Sequence, residues 1–291
     1  MIAALALGSG AALLWGAWAL LVAAPARVIS PLPTLFWTCA LAVVPSALVA
    51  LPSGLPSGST STWVFAILAG VSFFVAILCF FVAIQGANVS LVAPILACDG
   101  AIAAILAAVT GSTLPLGASA ALALMVVGIF LVARPPDGTD EAPKGPFALT
   151  HRRPIYVTVA LAAGSALTYG LTFFFTGEAN DMDAFWLVAI SRTVSALCAF
   201  AVILTRGGVR VPPSGMWKYI VPACIVDVVG YILFVHGTRH EVSVTAVAAS
   251  QYAVVAALGG VILFKEQMSG LQRLGIATLV VAVGAITVQL S

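Results

Sequence analysis

Charge is what this sequence lacks. It has 12 basic and 10 acidic residues among 291, so 8% of the chain is charged. A water-soluble domain carries about 25%, which leaves this chain too little charge to cover a soluble globule. The shortage is uneven. Before Arg134 the only charged side chains are Arg27 and Asp99. The gap between them has room for several membrane crossings, since one helix needs ~20 residues. The basic stripes that grip nucleic acid are missing, so nucleic acid is not an expected partner. Cys39, Cys79, Cys98, Cys198 and Cys224 all lie in apolar segments without a CxxC pair. That argues against a structural zinc site or a disulfide framework. No three-ligand metal constellation, Gly-x-Gly-x-x-Gly or Gly-Lys-Ser/Thr nucleotide loop occurs. No metal or cofactor is therefore expected, and ATP-driven pumping by this chain alone is disfavoured.

What the chain has is apolar length. Hydrophobic residues make up 62% of it, in continuous runs rather than the ~10-residue alternating segments of a membrane barrel. Helices hide backbone polar groups in lipid, so the runs are expected to be spanning helices. The expected spans are 2–23, 34–51, 63–84, 89–110 and 117–133, then 155–175, 184–204, 219–236, 243–264 and 271–289. The opening run lacks a basic leader region and is expected to be the first span, not a cleaved signal. Residues 134–154, dense in charge and proline, divide the chain near its middle.

The two halves resemble each other. Aligning Val89-Ser90 with Val242-Ser243 sets Asp99 opposite Tyr252 and Cys98 opposite Gln251. Gly128 falls opposite Gly284, and Leu14-Trp15-Gly16 opposite Thr168-Tyr169-Gly170. Two tandem units with an odd helix count must insert in opposite orientations. The expected fold class is therefore an all-α polytopic membrane protein, with ten transmembrane helices in two inverted five-helix repeats. The units are 1–133, a polar loop 134–154, and 155–291.

The segment VTAVAASQYAVVAALGGVILFKEQMSGLQRLGIATLVVAVGAITV (244–288) carries a specific resemblance. Small and apolar residues fill the ninth helix. Leu263-Phe264-Lys265-Glu266 forms the following turn, and Gly275 and Gly284 mark the tenth helix. The chain resembles the EamA-type ten-helix carriers of the drug/metabolite transporter superfamily. The resemblance assigns Phe264, Glu266, Gly275 and Gly284 to a structural motif. It also places Arg192 where the second helix of a repeat often carries arginine. The first repeat departs from the pattern. Its turn, TGSTLPLG, has no Glu, and its second helix has Thr38-Cys39 in place of the Arg. The resemblance implies secondary transport, often export, of small metabolites or amino acids, and not an enzyme.

Ten spans put ten of the 12 basic residues on the side reached after the first helix, and only Arg239 on the other. The positive-inside rule makes the first side cytoplasmic. Both termini are then outside a multi-pass protein of the cell's inner membrane.

Ionisable groups inside spans are costly and seldom face lipid. Asp99 lies ~15 Å into its span, near the bilayer middle. It is a candidate for substrate ammonium binding or proton coupling. The alternative is a neutral acid hydrogen-bonded to a neighbouring helix. Asp227 shares a helical face with Cys224, Gly230 and Tyr231. Arg192 enters from the opposite side to a depth within ~6 Å of it, so an ion pair is expected, or else substrate or proton contact. Gln251 and Tyr252 are candidates because the repeat matches them to Cys98 and Asp99. Trp15 and Tyr169 match each other and could wall a cavity or simply fill the core. The partners implied are a small-molecule solute, the lipid bilayer and protons as coupling ion. The leading function is alternating-access export of a small metabolite or amino-acid-like solute. Its rivals are a channel, a non-transporting scaffold or an intramembrane enzyme. The enzyme lacks any clustered catalytic motif.

Overall fold

The computed structural model describes residues 2–109, 153–179, 181–263 and 269–290, with isolated positions 124, 127, 128 and 131. Every regular element among them is helical. In the first half these are α1 (Ile2–Val28), α2 (Pro31–Ala50), α3 (Thr60–Gly86), α4 (Val89–Leu96) and α5 (Asp99–Val109). The second half has α6 (Ile155–Glu178), α7 (Ala184–Leu204), α8 (Trp217–Thr238), α9 (Val242–Ala249), α10 (Tyr252–Leu263) and α11 (Gly270–Leu290). Six of them (α1, α2, α3, α6, α7 and α8) are long and apolar enough to cross a bilayer. Most of the expected span 117–133 and of the loop 134–154, and Phe264 and Glu266, lie outside the described residues.

Local chemistry sets the helix ends. Pro31 starts α2, where its missing N–H costs nothing. The Ser59 hydroxyl accepts from the Thr62 N–H at the start of α3, 3.3 Å away. The Asp183 carboxylate accepts from the N–H groups of Phe185 and Trp186 at the start of α7. At the other end of α7, the Gly208 N–H donates back to the Ile203 carbonyl at 3.2 Å. Gly207 supplies the left-handed turn at φ +99° that this closure requires. Arg27 closes α3, donating from Nε to the Ile84 carbonyl and from Nη2 to the Ala87 carbonyl at 2.9 and 3.1 Å.

Two expected spans need correction. Segments 89–110 and 243–264 are each two helices, broken at Ala97-Cys98 and at Ser250-Gln251. In the first, the Cys98 N–H bonds to the Ile95 carbonyl at 3.3 Å in place of the Pro94 carbonyl a full turn back. The second has Val247 at the aligned position, so proline is not the shared cause. There the Ser250 hydroxyl and N–H both donate to the Ala246 carbonyl, at 2.8 and 3.0 Å, and the Gln251 N–H turns to the Ala248 carbonyl at 3.3 Å.

Packing follows an exchange of halves. α1 packs on α8 as α3 packs on α6, and α2 packs on α7. The broken helices cross, α4 against α10 and α5 against α9. Gly16 of α1 abuts Val255 and the Tyr252 carbonyl, while Gly170 of α6 abuts Ile102 and the Asp99 carbonyl. These are aligned residues making the same contact twice. A side chain at either glycine would push the broken helix away.

Candidate substrate site

The breaks put Asp99 and Tyr252 at equivalent places, each the first residue of its second half-helix. The Tyr252 hydroxyl donates to Asp99 Oδ2 at 3.0 Å, so the two aligned residues touch. Asp99 Oδ1 accepts from the Gly100 N–H at 2.6 Å. Gly100 permits the crossing, because a Cβ there would overlap Ser250 Oγ and stand 2.7 Å from the Ala246 carbonyl. Asp99 is fully buried, and no cation pairs with it among the described residues.

Asp227 has different company. Arg192 of α7 donates from Nε and Nη2 to its two carboxylate oxygens at 2.7 and 2.9 Å. This is the ion pair expected from helix depth, and its bidentate form suits a planar guanidinium. Arg192 also lies over the Phe73 ring at 3.7 Å and the Tyr231 ring at 4.5 Å. Cation–π attraction gains strength in such a dry setting. The Tyr231 hydroxyl shares a 2.6 Å hydrogen bond with Thr176 of α6. Cys224, on the face predicted for Asp227, donates to the Thr38 carbonyl at 3.3 Å.

Rings connect the two acids. Phe73 under Arg192 meets Tyr169 edge-on at 5.6 Å, and Tyr169 stands 6.5 Å from Tyr252. Trp15 stacks on Phe173 at 5.6 Å and approaches Tyr231 at 6.2 Å. Two buried donors in this cluster, Arg192 Nη1 and Trp15 Nε1, find no acceptor among the described residues. Such orphaned donors are uncommon and costly. Gln251 is half-buried at the α9–α10 break. Gly275 is buried in α11, and Gly284 has open space where a side chain would stand.

Arg192, Asp227, Tyr231, Trp15, Tyr169, Tyr252 and Asp99 thus join one continuous buried cluster. Phe73, Phe173, Thr176 and Gly100 belong with them and were missed. A phenylalanine in an apolar run carries no signal of its neighbour's charge. Gly100 did carry one, since it directly follows a mid-span acid. His236 stands apart from the cluster, sharing a 3.0 Å bond with the Ile232 carbonyl one turn back and facing the Phe185 ring at 6.0 Å. Among the described residues no cluster of His, Cys, Asp and Glu could hold a metal ion.

A helical membrane bundle of two exchangeable halves, with broken helices crossing at its centre, has the architecture of a carrier. The chain matches the EamA-like transporter family over residues 2–134 and 157–288, and it belongs to that family. It is a multi-pass membrane transporter of the drug/metabolite transporter superfamily. Its fold is similar to a solved structure described only as "Crystal structure of protein". The TM-score is 0.71 at 17% identity, covering 98% of this chain and 96% of that one. Comparison with curated proteins gives no match.

Proposed function

We propose that the protein exports a small amino-acid-like solute by alternating access, with the solute held between the repeats at the ring cluster joining Asp99 to Arg192. The observation that carries this reading is the pair of orphaned donors, Arg192 Nη1 and Trp15 Nε1, on either side of Tyr231. A solute carboxylate supplies the acceptors they lack. Asp227 already neutralises Arg192, so the site favours a solute that brings an acceptor without demanding a free cation. The solute's ammonium group then faces Asp99 across the rings of Phe73, Tyr169 and Tyr252. The rings give the apolar part of the solute a wall. The halves rock about the mirrored contacts at Gly16 and Gly170, opening the cluster to one side and then the other.

Asp99 is the proposed proton carrier. A buried carboxyl without a cation exchanges its proton for a cationic ligand at low electrostatic cost. Asp227 is unsuited to that role because Arg192 donates to both of its carboxylate oxygens. The basic loops are assigned to the cytoplasmic side of the inner membrane, with both termini outside.

The test is solute flux in proteoliposomes over an amino-acid and metabolite panel, at varied pH gradients. Saturable flux driven by a proton gradient in wild type, with exchange but no pH response in Asp99→Asn, is the expected result. Absence of saturable flux of any zwitterion, from protein that is monodisperse before reconstitution, would overturn the carrier site. An unchanged gradient response in Asp99→Asn would remove Asp99 as coupling group and leave the solute site standing.

A further inference from the structure

A second polar site lies away from the centre, where the α1–α2 turn meets the end of α7. It is a cavity of about 190 Å³ rimmed by Ser30, Arg206, Gly208 and Arg210. Leu32, Pro33 and Ile203 form its apolar floor. All of these segments lie at one face of the bundle, because α1 and α7 end there and α2 begins there.

The rim is built rather than loose. The α7 closure holds Arg206 through its N–H, which donates to the Ile203 carbonyl at 2.9 Å. Gly207 and Gly208, both left-handed at φ +99° and +97°, turn the chain so that Arg210 comes back to the same rim. The Arg210 carbonyl accepts from Trp37 Nε1 of α2 at 2.9 Å, fastening that backbone to the opposite wall. Trp37 is itself braced edge-on by Trp217 at 5.4 Å. Both arginine side chains are nonetheless exposed, and among the described residues neither enters an ion pair.

Ser30 adds an independent observation. It has φ 125° and ψ 161°, a region that non-glycine residues seldom occupy. It holds the N-cap position of α2, yet its side chain makes no capping bond. A strained serine whose hydroxyl leaves the helix uncapped, beside two arginines with no ion-pair partner among the described residues, presents donors to an anion. The surroundings are lipid-like. Leu204, Val209 and Val211, which flank the arginines, are all exposed, Val211 by 69%.

We propose that this pocket binds the phosphodiester headgroup of an anionic phospholipid. The phosphate oxygens accept from Arg206, Arg210 and the Ser30 hydroxyl, and the glycerol-ester region rests on Leu32, Pro33 and Ile203. A soluble phosphate offers the same oxygens, but it has no use for the apolar floor or the exposed valines. The pocket joins the α1–α2 turn to the α7 end, so a bound lipid ties the first repeat to the second at the membrane surface.

The test is native mass spectrometry of delipidated full-length protein titrated with dioleoyl phosphatidylglycerol, dioleoyl phosphatidylcholine or inorganic phosphate. A surface arginine strengthens attraction to anionic lipid about fivefold, so R206Q/R210Q should weaken phosphatidylglycerol binding ~30-fold. K218Q/R273Q removes equal charge outside the pocket and should leave that binding within about threefold of wild type. Melting curves of both variants report whether the fold is intact. Wild type alone supplies a second measurement, preference for phosphatidylglycerol over phosphatidylcholine. Equal binding of the two lipids, or equal losses in the two variants, would overturn the proposal. Binding of inorganic phosphate without the lipid would reassign the pocket to a soluble anion and also overturn it.

Discussion

Asp227 receives two short bonds from a guanidinium, whereas Asp99 meets only uncharged donors among the described residues, the Tyr252 and Ser250 hydroxyls and the Gly100 N–H. Both acids are buried, and a chain of aromatic rings runs from one to the other. The backbone around them is close to symmetric, as the matched glycine contacts show. The chemistry is not. Arg192 has no charged counterpart in the first repeat, where Thr38-Cys39 stands in its place. Symmetry thus supplies two similar frames, and the side chains divide the work between them. One acid is locked to a cation and holds helices together. The other pairs with no cation among the described residues and meets a tyrosine hydroxyl instead.

The largest effect is expected at Asp227. Asp227→Ala strands Arg192 in an apolar interior and should cost about 3–5 kcal/mol, read from unfolding in detergent. Replacing both partners, as R192L/D227L, should recover most of that stability while transport stays lost. A double variant no more stable than Asp227→Ala would mean that the pair acts through packing rather than charge. Next in size is Gly100→Ala, which forces a methyl into Ser250 and the Ala246 carbonyl and should cost about 2 kcal/mol. Gly164→Ala, with nothing within 4 Å of the new methyl, is its internal control. It should instead stabilise α6 by about 0.5–1 kcal/mol.

Asp99→Asn sharpens the contrast from the other side. No cation loses its partner, so unfolding stability should change by no more than ~1 kcal/mol, while the pH response of flux disappears. A loss as large as that of Asp227→Ala would show that Asp99 is structural too. The smallest effect is expected far from both acids. Ser30→Gly relieves an unfavourable backbone angle and should raise stability by about 0.5–1 kcal/mol in the same unfolding assay.

Much of this organisation is legible in the sequence because lipid imposes simple rules. Six long helices coincide with apolar runs that hold few charges, and the alignment of Val89-Ser90 with Val242-Ser243 found the two residues that meet at the centre. Depth arithmetic was enough to pair Arg192 with Asp227, since each helix has a known rise and few ionisable groups compete. The helix breaks were not legible. Only one has a proline nearby, and the serine-to-backbone bond at the other recurs in unbroken helices at Ser46 and Ser195. The ring contacts escaped for a different reason. Phe73 looks like any phenylalanine in an apolar run until Arg192 folds over it. The surface pocket depends on backbone angles at Ser30, Gly207 and Gly208, which composition does not reveal for a serine.

The mirrored notches at Gly16 and Gly170 bear on assembly. Each half offers the other a groove for its broken helix, so a lone half would find the same groove on a second copy of itself. Two copies of the first half would bring two Asp99 carboxyls face to face, with no tyrosine between them to donate a hydrogen bond. Like charges so placed repel, or one acid must stay protonated. A first half meeting a second half exchanges that repulsion for a hydrogen bond. A single carboxyl therefore acts against self-pairing of the first repeat and favours the union of unlike halves within one polypeptide.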